Sequence, residues 1–260
     1  MFKLENETKP LPSIVAALEV YDGCEFDVRL TRDRMLVIHH DAEIHGQRLI
    51  NTDYEDIEGI SSFVELIHHP QLIRLVNEDG KTLWIEAKED SNFRFRKNPS
   101  LRREIAQRLT EELTASGLDL DKITIISFCD EILAHVKGIR RCHIVPYLFS
   151  ATDSRFPFYN PKTVFQMFVP LQRHIKKAIK RGFDGLLFSK HYLQGIFSFF
   201  QPSLEKVLSL KSEDFILGTE AQTFAEEVAF KDFFVFTDYR GERKESREKN
   251  AGPLICHRGL

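Results

Sequence analysis

Short apolar runs that each end on an ionisable residue recur along this chain, with longer amphipathic stretches between them. That alternation constrains the fold more than any other feature. Gly23-Cys24-Glu25-Phe26-Asp27-Val28 sets two carboxylates at i and i+2, on the same side of a strand. Met35-Leu36-Val37-Ile38-His39-His40-Asp41 follows, then Leu83-Trp84-Ile85-Glu86-Ala87-Lys88, and near the far end Leu254-Ile255-Cys256-His257-Arg258-Gly259. The patterning predicts strands over 24–30, 83–88, 123–128, 143–149, 185–189, 215–218, 233–237 and 254–257, and helices over 13–20, 101–116, 131–137, 164–180, 203–210, 221–229 and 242–249.

Strands alternating with helices argue for a parallel sheet, and eight of them argue for closure into a (β/α)8 TIM barrel. Such barrels keep their chemistry at the C-terminal ends of the strands, where these ionisable residues fall. At 260 residues the chain fits one domain over 1–260, and 42% apolar residues suffice for its core. Asn98-Pro99 reads as a helix start, and Gly117, Gly138 and Gly182 as helix stops. The stretch 35–40 reads as an extra strand returning over the barrel mouth.

Charge excludes some functions. With 36 basic and 39 acidic residues the net charge is −3, and no long-range field favours nucleic acid. The basic clusters at Arg94, Arg96 and Lys97 and at Lys176, Lys177, Lys180 and Arg181 read as solvated faces. Four cysteines without CxxC spacing point away from zinc and disulfides and toward a reducing cytoplasm. No apolar stretch is long enough for a membrane span, and the charged first residues do not read as a signal peptide.

Glu25-Phe26-Asp27, His40-Asp41 and Glu86-Ala87-Lys88 stand in an order that resembles the glycerophosphodiester phosphodiesterase family. Its members open with an apolar strand into His-Arg-Gly and continue through a Glu-Asn segment, here matched in part by Glu5-Asn6. His257-Arg258-Gly259 is displaced to the other end, so the chain resembles a circular permutant cut after the first barrel strand. The displaced strand is expected beside 24–30 and 233–237, in cis or swapped from a partner chain as a domain-swapped dimer.

Residue chemistry and resemblance together imply the site. Glu25, Asp27 and Glu86 supply hard oxygen ligands that suit Mg²⁺ or Ca²⁺. Arg258 would bind phosphate through its planar fork and Lys88 would add a point charge. His257 and His40 would serve as general base and acid. The resemblance implies a small-molecule phosphodiester substrate, cleaved to an alcohol and glycerol 3-phosphate. Each motif also has a structural reading: Glu25 and Asp27 bound to backbone or Arg29, Glu86 with Lys88 as a strand-end ion pair, His40 as a satisfied histidine. Two other functions stay open at this point. One is an inactive relative that only binds. The other is a lysophospholipase D-like activity, if the aromatics at 156–158 or 197–200 line the pocket. Where relatives carry a Trp before the Thr of the seventh strand, this chain has Gly218, which implies a lost pocket wall.

Overall fold

The computed structural model describes residues 10–89, 98–145, 169–194, 204–209, 214–237 and 253–256. The chain forms two compact units, one of Met1–Arg140 with Ile255–Leu260 and one of Arg141–Leu254.

In the first unit, helix α1 (Pro10–Val20) leads into strand β1 (Gly23–Leu30), which turns back as β2 (Leu36–Ile38). The pair is antiparallel, with Val28 opposite Ile38 and Leu30 opposite Leu36. The turn between them is pinned by Thr31, whose hydroxyl accepts from the Met35 N–H at 3.0 Å and whose own N–H donates to the Met35 carbonyl at 3.0 Å. Arg34 takes a φ of 70°, a strained value for a side-chain-bearing residue, at the tip of that turn. A hairpin of β3 (Glu43–Ile44) and β4 (Gln47–Arg48) follows. Its two turn residues, His45 and Gly46, both have positive φ, as a primed two-residue turn requires. Strand β5 (Ser61–Ser62) pairs with β2 and runs into α2 (Phe63–Ile67), where the Ser62 side chain caps the Glu65 N–H. Helix α3 (Pro70–Asn77) begins with a proline at its first position, where the missing N–H costs nothing.

Strand β6 (Thr82–Ala87) returns parallel to β1, and β7 (Ile123–Ser127) continues parallel to β6. Between them runs α4 (Pro99–Ala115), capped by Asn98, and α5 (Asp130–His135) comes after β7. Leu83, Trp84 and Ile85 are all essentially inaccessible, so both faces of β6 are covered, as a parallel strand flanked by helices requires.

The second unit repeats the pattern. Strands β8 (Arg140–Ile144), β9 (Gly185–Phe188), β10 (Ile216–Ala221) and β11 (Phe234–Thr237) are joined through α6 (Leu171–Lys180), α7 (Leu204–Leu208) and α8 (Phe224–Ala229). β8, β9, β10 and β11 are parallel neighbours in that order. Within the first unit, Ile255 and Cys256 of a last strand, β12 (Leu254–Cys256), lie opposite Gly23 and Cys24, parallel to β1.

Strand positions agree with the sequence pattern to within a few residues. β8 begins three residues before the expected 143, and the rest of that stretch from 146 on lies outside the described residues. β10 runs through Ala221, where a helix was expected to begin. The Thr223 hydroxyl caps the Glu226 N–H, so α8 starts at Phe224 instead. The short helices α2 and α3 were not expected. The helix expected over 242–249 lies outside the described residues. Among the described residues, no helix is long and apolar enough to cross a membrane.

Close strand packing makes Gly185 hard to replace. A Cβ on Gly185 would lie 2.6 Å from Cys142 Sγ, 2.6 Å from Ile216 Cβ and 2.7 Å from the Ile216 carbonyl oxygen. Gly185→Ala is expected to destabilise the protein by about 1–3 kcal/mol, measured by denaturant unfolding, because backbone and neighbouring strands must shift to admit it.

Candidate active site

Alternation along β1 points Glu25 and Asp27 to one side, and the β1–β6 register brings Glu86 directly beside Asp27. One oxygen from each of the three carboxylates lies within 4.8 Å of the others, and all three residues are buried. Just past β6, the Lys88 N–H continues the ladder by donating to the Val28 carbonyl at 3.1 Å. Its ammonium sits 3.1 Å from Asp27 Oδ1 and 3.5 Å from Glu86 Oε1.

Electrostatics follow from this crowding. Burial pushes the Glu86 carboxyl up; Lys88 opposes that, but the charges of Asp27 and Glu25 add to it, and the outcome is about 8. Burial acts on Lys88 in the opposite sense, yet Asp27 and Glu86 hold its ammonium above its ordinary value. The three carboxyl groups make an all-oxygen donor set, and the Lys88 ammonium beside them leaves its charge negative once Glu86 is ionised. Hard divalent cations take this kind of site, and zinc, which prefers nitrogen and sulfur, is less suited to it.

His40 stands just beyond β2. Its Nδ1 lies 2.8 Å from Asp41 Oδ1, and a third of the imidazole side chain is exposed. Burial raises the Asp41 carboxyl, but the hydrogen bond and charge of His40 outweigh it and lower the group below its ordinary value. Arg29 makes a two-pronged contact with the His40 carbonyl oxygen, Nε at 3.0 Å and Nη2 at 2.7 Å, and its Nη1 reaches the Glu89 carbonyl at 3.4 Å. The Glu89 carboxylate in turn grips Arg102 of α4 at 2.7 and 2.8 Å.

The structure thus brings together Glu25, Asp27, Glu86 and Lys88, with His40 two residues past the end of the strand paired to β1. His257 and Arg258 lie outside the described residues, as do the aromatics at 156–158 and 197–200. Cys256 is buried, consistent with a small apolar filler. In the second unit, the space around Gly218 is taken. An added Cβ would meet Leu187 Cδ2 at 2.5 Å and Phe236 Cε2 at 3.1 Å. Sequence reasoning missed the Ser189–Glu220 hydrogen bond of 2.7 Å, since a Ser after one strand and a Glu inside another carry no joint signal. It also missed where the Arg29 fork lands.

The glycerophosphoryl diester phosphodiesterase family profile matches residues 11–152, more than half of the chain. The chain belongs to that family. Its enzyme class is accordingly that of a glycerophosphodiester phosphodiesterase. No curated protein matches the chain. Among solved structures, it is similar to a glycerophosphodiester phosphodiesterase from Parabacteroides distasonis, at 16% identity and a TM-score of 0.59 over 95% of this chain and 84% of that one. A glycerophosphodiester phosphodiesterase from Thermotoga maritima gives 14% and 0.58 over 95% and 87%. An Oleispira antarctica phosphodiesterase, solved with the product sn-glycerol-3-phosphate, gives 15% and 0.55 over 95% and 86%. At these identities the likeness shows the fold, a (β/α)8 barrel.

The raised Glu86 pKa sets a sign for stability. A folded-state value of about 8 against an ordinary 4.5 means that its contribution is present below about 4.5 and lost as pH rises through 8. The slope is on the order of 1 kcal/mol per pH unit in that window. In chelator, melting of the wild-type protein is expected to fall from pH 5 to pH 9 more steeply than that of Glu86→Gln. Equal slopes in thermal melts would show that Glu86 does not carry the effect.

Proposed function

We propose that the chain hydrolyses glycerophosphodiesters to an alcohol and glycerol 3-phosphate, with Glu25, Asp27 and Glu86 holding a divalent cation, Mg²⁺ or Ca²⁺. The observation that carries this reading is the convergence of those three buried carboxylates within 4.8 Å, at the family's motif positions. When bound, the cation would supply charge neutralisation and Lewis acidity at a phosphoryl oxygen. Lys88, held between Asp27 and Glu86, would fix the carboxylates in place and add positive potential for the phosphate.

His40 is assigned as the general acid, delivering a proton from Nε2 to the departing alcohol while Asp41 holds Nδ1. His257 is assigned as the general base that takes the proton of the glycerol hydroxyl beside the phosphate. That oxygen then bonds to phosphorus, the bond to the alcohol breaks, and a cyclic phosphate forms, which water opens to glycerol 3-phosphate. Arg258 would grip the phosphate with its fork. Both residues directly follow Cys256, and the parallel register of Cys256 with Cys24 supports a permuted order, with β12 standing in for the family's first strand beside β1. We read 1–260 as one such barrel domain. The product-bound Oleispira antarctica relative supports the same product chemistry.

The test is release of glycerol 3-phosphate from glycerophosphocholine, with and without chelator. Chelation is expected to abolish release and added Mg²⁺ or Ca²⁺ to restore it; full activity in excess chelator would sink the cation assignment. His40→Ala is expected to lower turnover by about 10²–10⁴-fold with the fold retained, and a near-normal rate would remove His40 from proton transfer.

A further inference from the structure

The last ladder bond between β1 and β2 runs from the His39 N–H to the Asp27 carbonyl, at 3.1 Å. Beyond it the chain leaves the sheet, and His40 is the next residue. The regular pairing that fixes β2 therefore stops one residue short of the imidazole that has to be aimed. At that point Arg29 of β1 reaches across and places two donors, Nε at 3.0 Å and Nη2 at 2.7 Å, on the single carbonyl oxygen of His40. Its Nη1 touches the carbonyl of Glu89, two residues past the end of β6. Arg29 lies on the same side of β1 as Glu25 and Asp27, so one strand carries both the carboxylates and the clamp. A planar, permanently charged fork fixes distance and angle together, which a single donor does not.

We propose that Arg29 is a positioning residue for proton transfer: its fork on the His40 carbonyl holds the His40–Asp41 pair at a set distance from the carboxylates of β1. The inference rests on the reading of His40 as general acid. Arg29 acts on the leaving alcohol only through His40. Its loss therefore harms a substrate whose alcohol needs a proton and spares one whose leaving group departs as a stable anion.

The experiment compares Arg29→Met, Arg29→Lys, His40→Ala and the Arg29→Met/His40→Ala double variant of the full chain in Mg²⁺. Substrates are glycerophosphocholine and the p-nitrophenyl ester of glycerol phosphate. Arg29→Met is expected to lower kcat on glycerophosphocholine about 10–100-fold with little change in KM, the scale expected from a misplaced catalytic group. It should leave the nitrophenyl ester nearly unaffected. The double variant should be no slower than His40→Ala alone, as residues acting as a unit require. Arg29→Lys, with a single ammonium nitrogen in place of the planar fork, should recover part of the loss. Should Arg29→Met not fold, Arg29→Lys carries the test, with a smaller penalty and the same dependence on leaving group. Equal losses on both substrates, or a loss that adds to that of His40→Ala, would overturn the inference. So would an unimpaired Arg29→Met beside an impaired His40→Ala. A normal rate for His40→Ala on glycerophosphocholine would instead overturn the general-acid reading, and the positioning role with it.

Discussion

Three buried carboxyl groups, with an oxygen of each within 4.8 Å of the others, are the constraint around which the first unit is arranged. Left alone, such a cluster would repel itself at a place where little water screens it. Two features make it tolerable. Lys88 inserts its ammonium between Asp27 and Glu86, and Glu86 holds a proton far above the ordinary carboxyl range. The strands contribute too. Because Asp27 and Glu86 are register partners on parallel neighbours, their separation is fixed by backbone hydrogen bonds and not by flexible side-chain choices. An isolated surface pair would give no such precision, since exposed ion pairs contribute little to structure.

The support extends outward in layers. Glu89, one residue past Lys88, spends its carboxylate on Arg102 of α4, and Arg102 also bonds to Glu131 of α5. The C-terminal end of β6 is thereby fastened to two helices. The site stands on rigid elements, and the part that leaves the sheet, around His40, is tied back by Arg29.

Much of this was legible in the sequence, for identifiable reasons. The strand cores were readable because parallel strands buried on both faces are nearly continuous apolar runs, as in Leu83-Trp84-Ile85. The carboxylate cluster was readable because Glu-x-Asp fixes a shared face by period alone. Helix α4 was readable from Asn98-Pro99 and its following pattern. Helices α2 and α3 were not, since five and eight residues are too few for a helical period to stand out. The aim of Arg29 was equally hidden. Spacing on β1 says which side it leaves from, and nothing local says that a carbonyl eleven residues later receives it. The filling of the space at Gly218 by Leu187 and Phe236 depends on strand register, which a one-residue pattern does not reveal.

The turn from Thr31 to Met35 carries a consequence for how this chain can vary. It sets the antiparallel offset of β2 against β1, and in such a pair a slip of one residue carries each side chain to the opposite face. Two histidines stand side by side there, His39 and His40, and the second bonds Asp41 through Nδ1. An insertion or deletion in the turn would present the neighbouring imidazole in place of the one that Asp41 orients, without changing any residue of the motif. Loop length is ordinarily the freest variable in a barrel. Here it is as tightly bound as the identity of the side chains themselves.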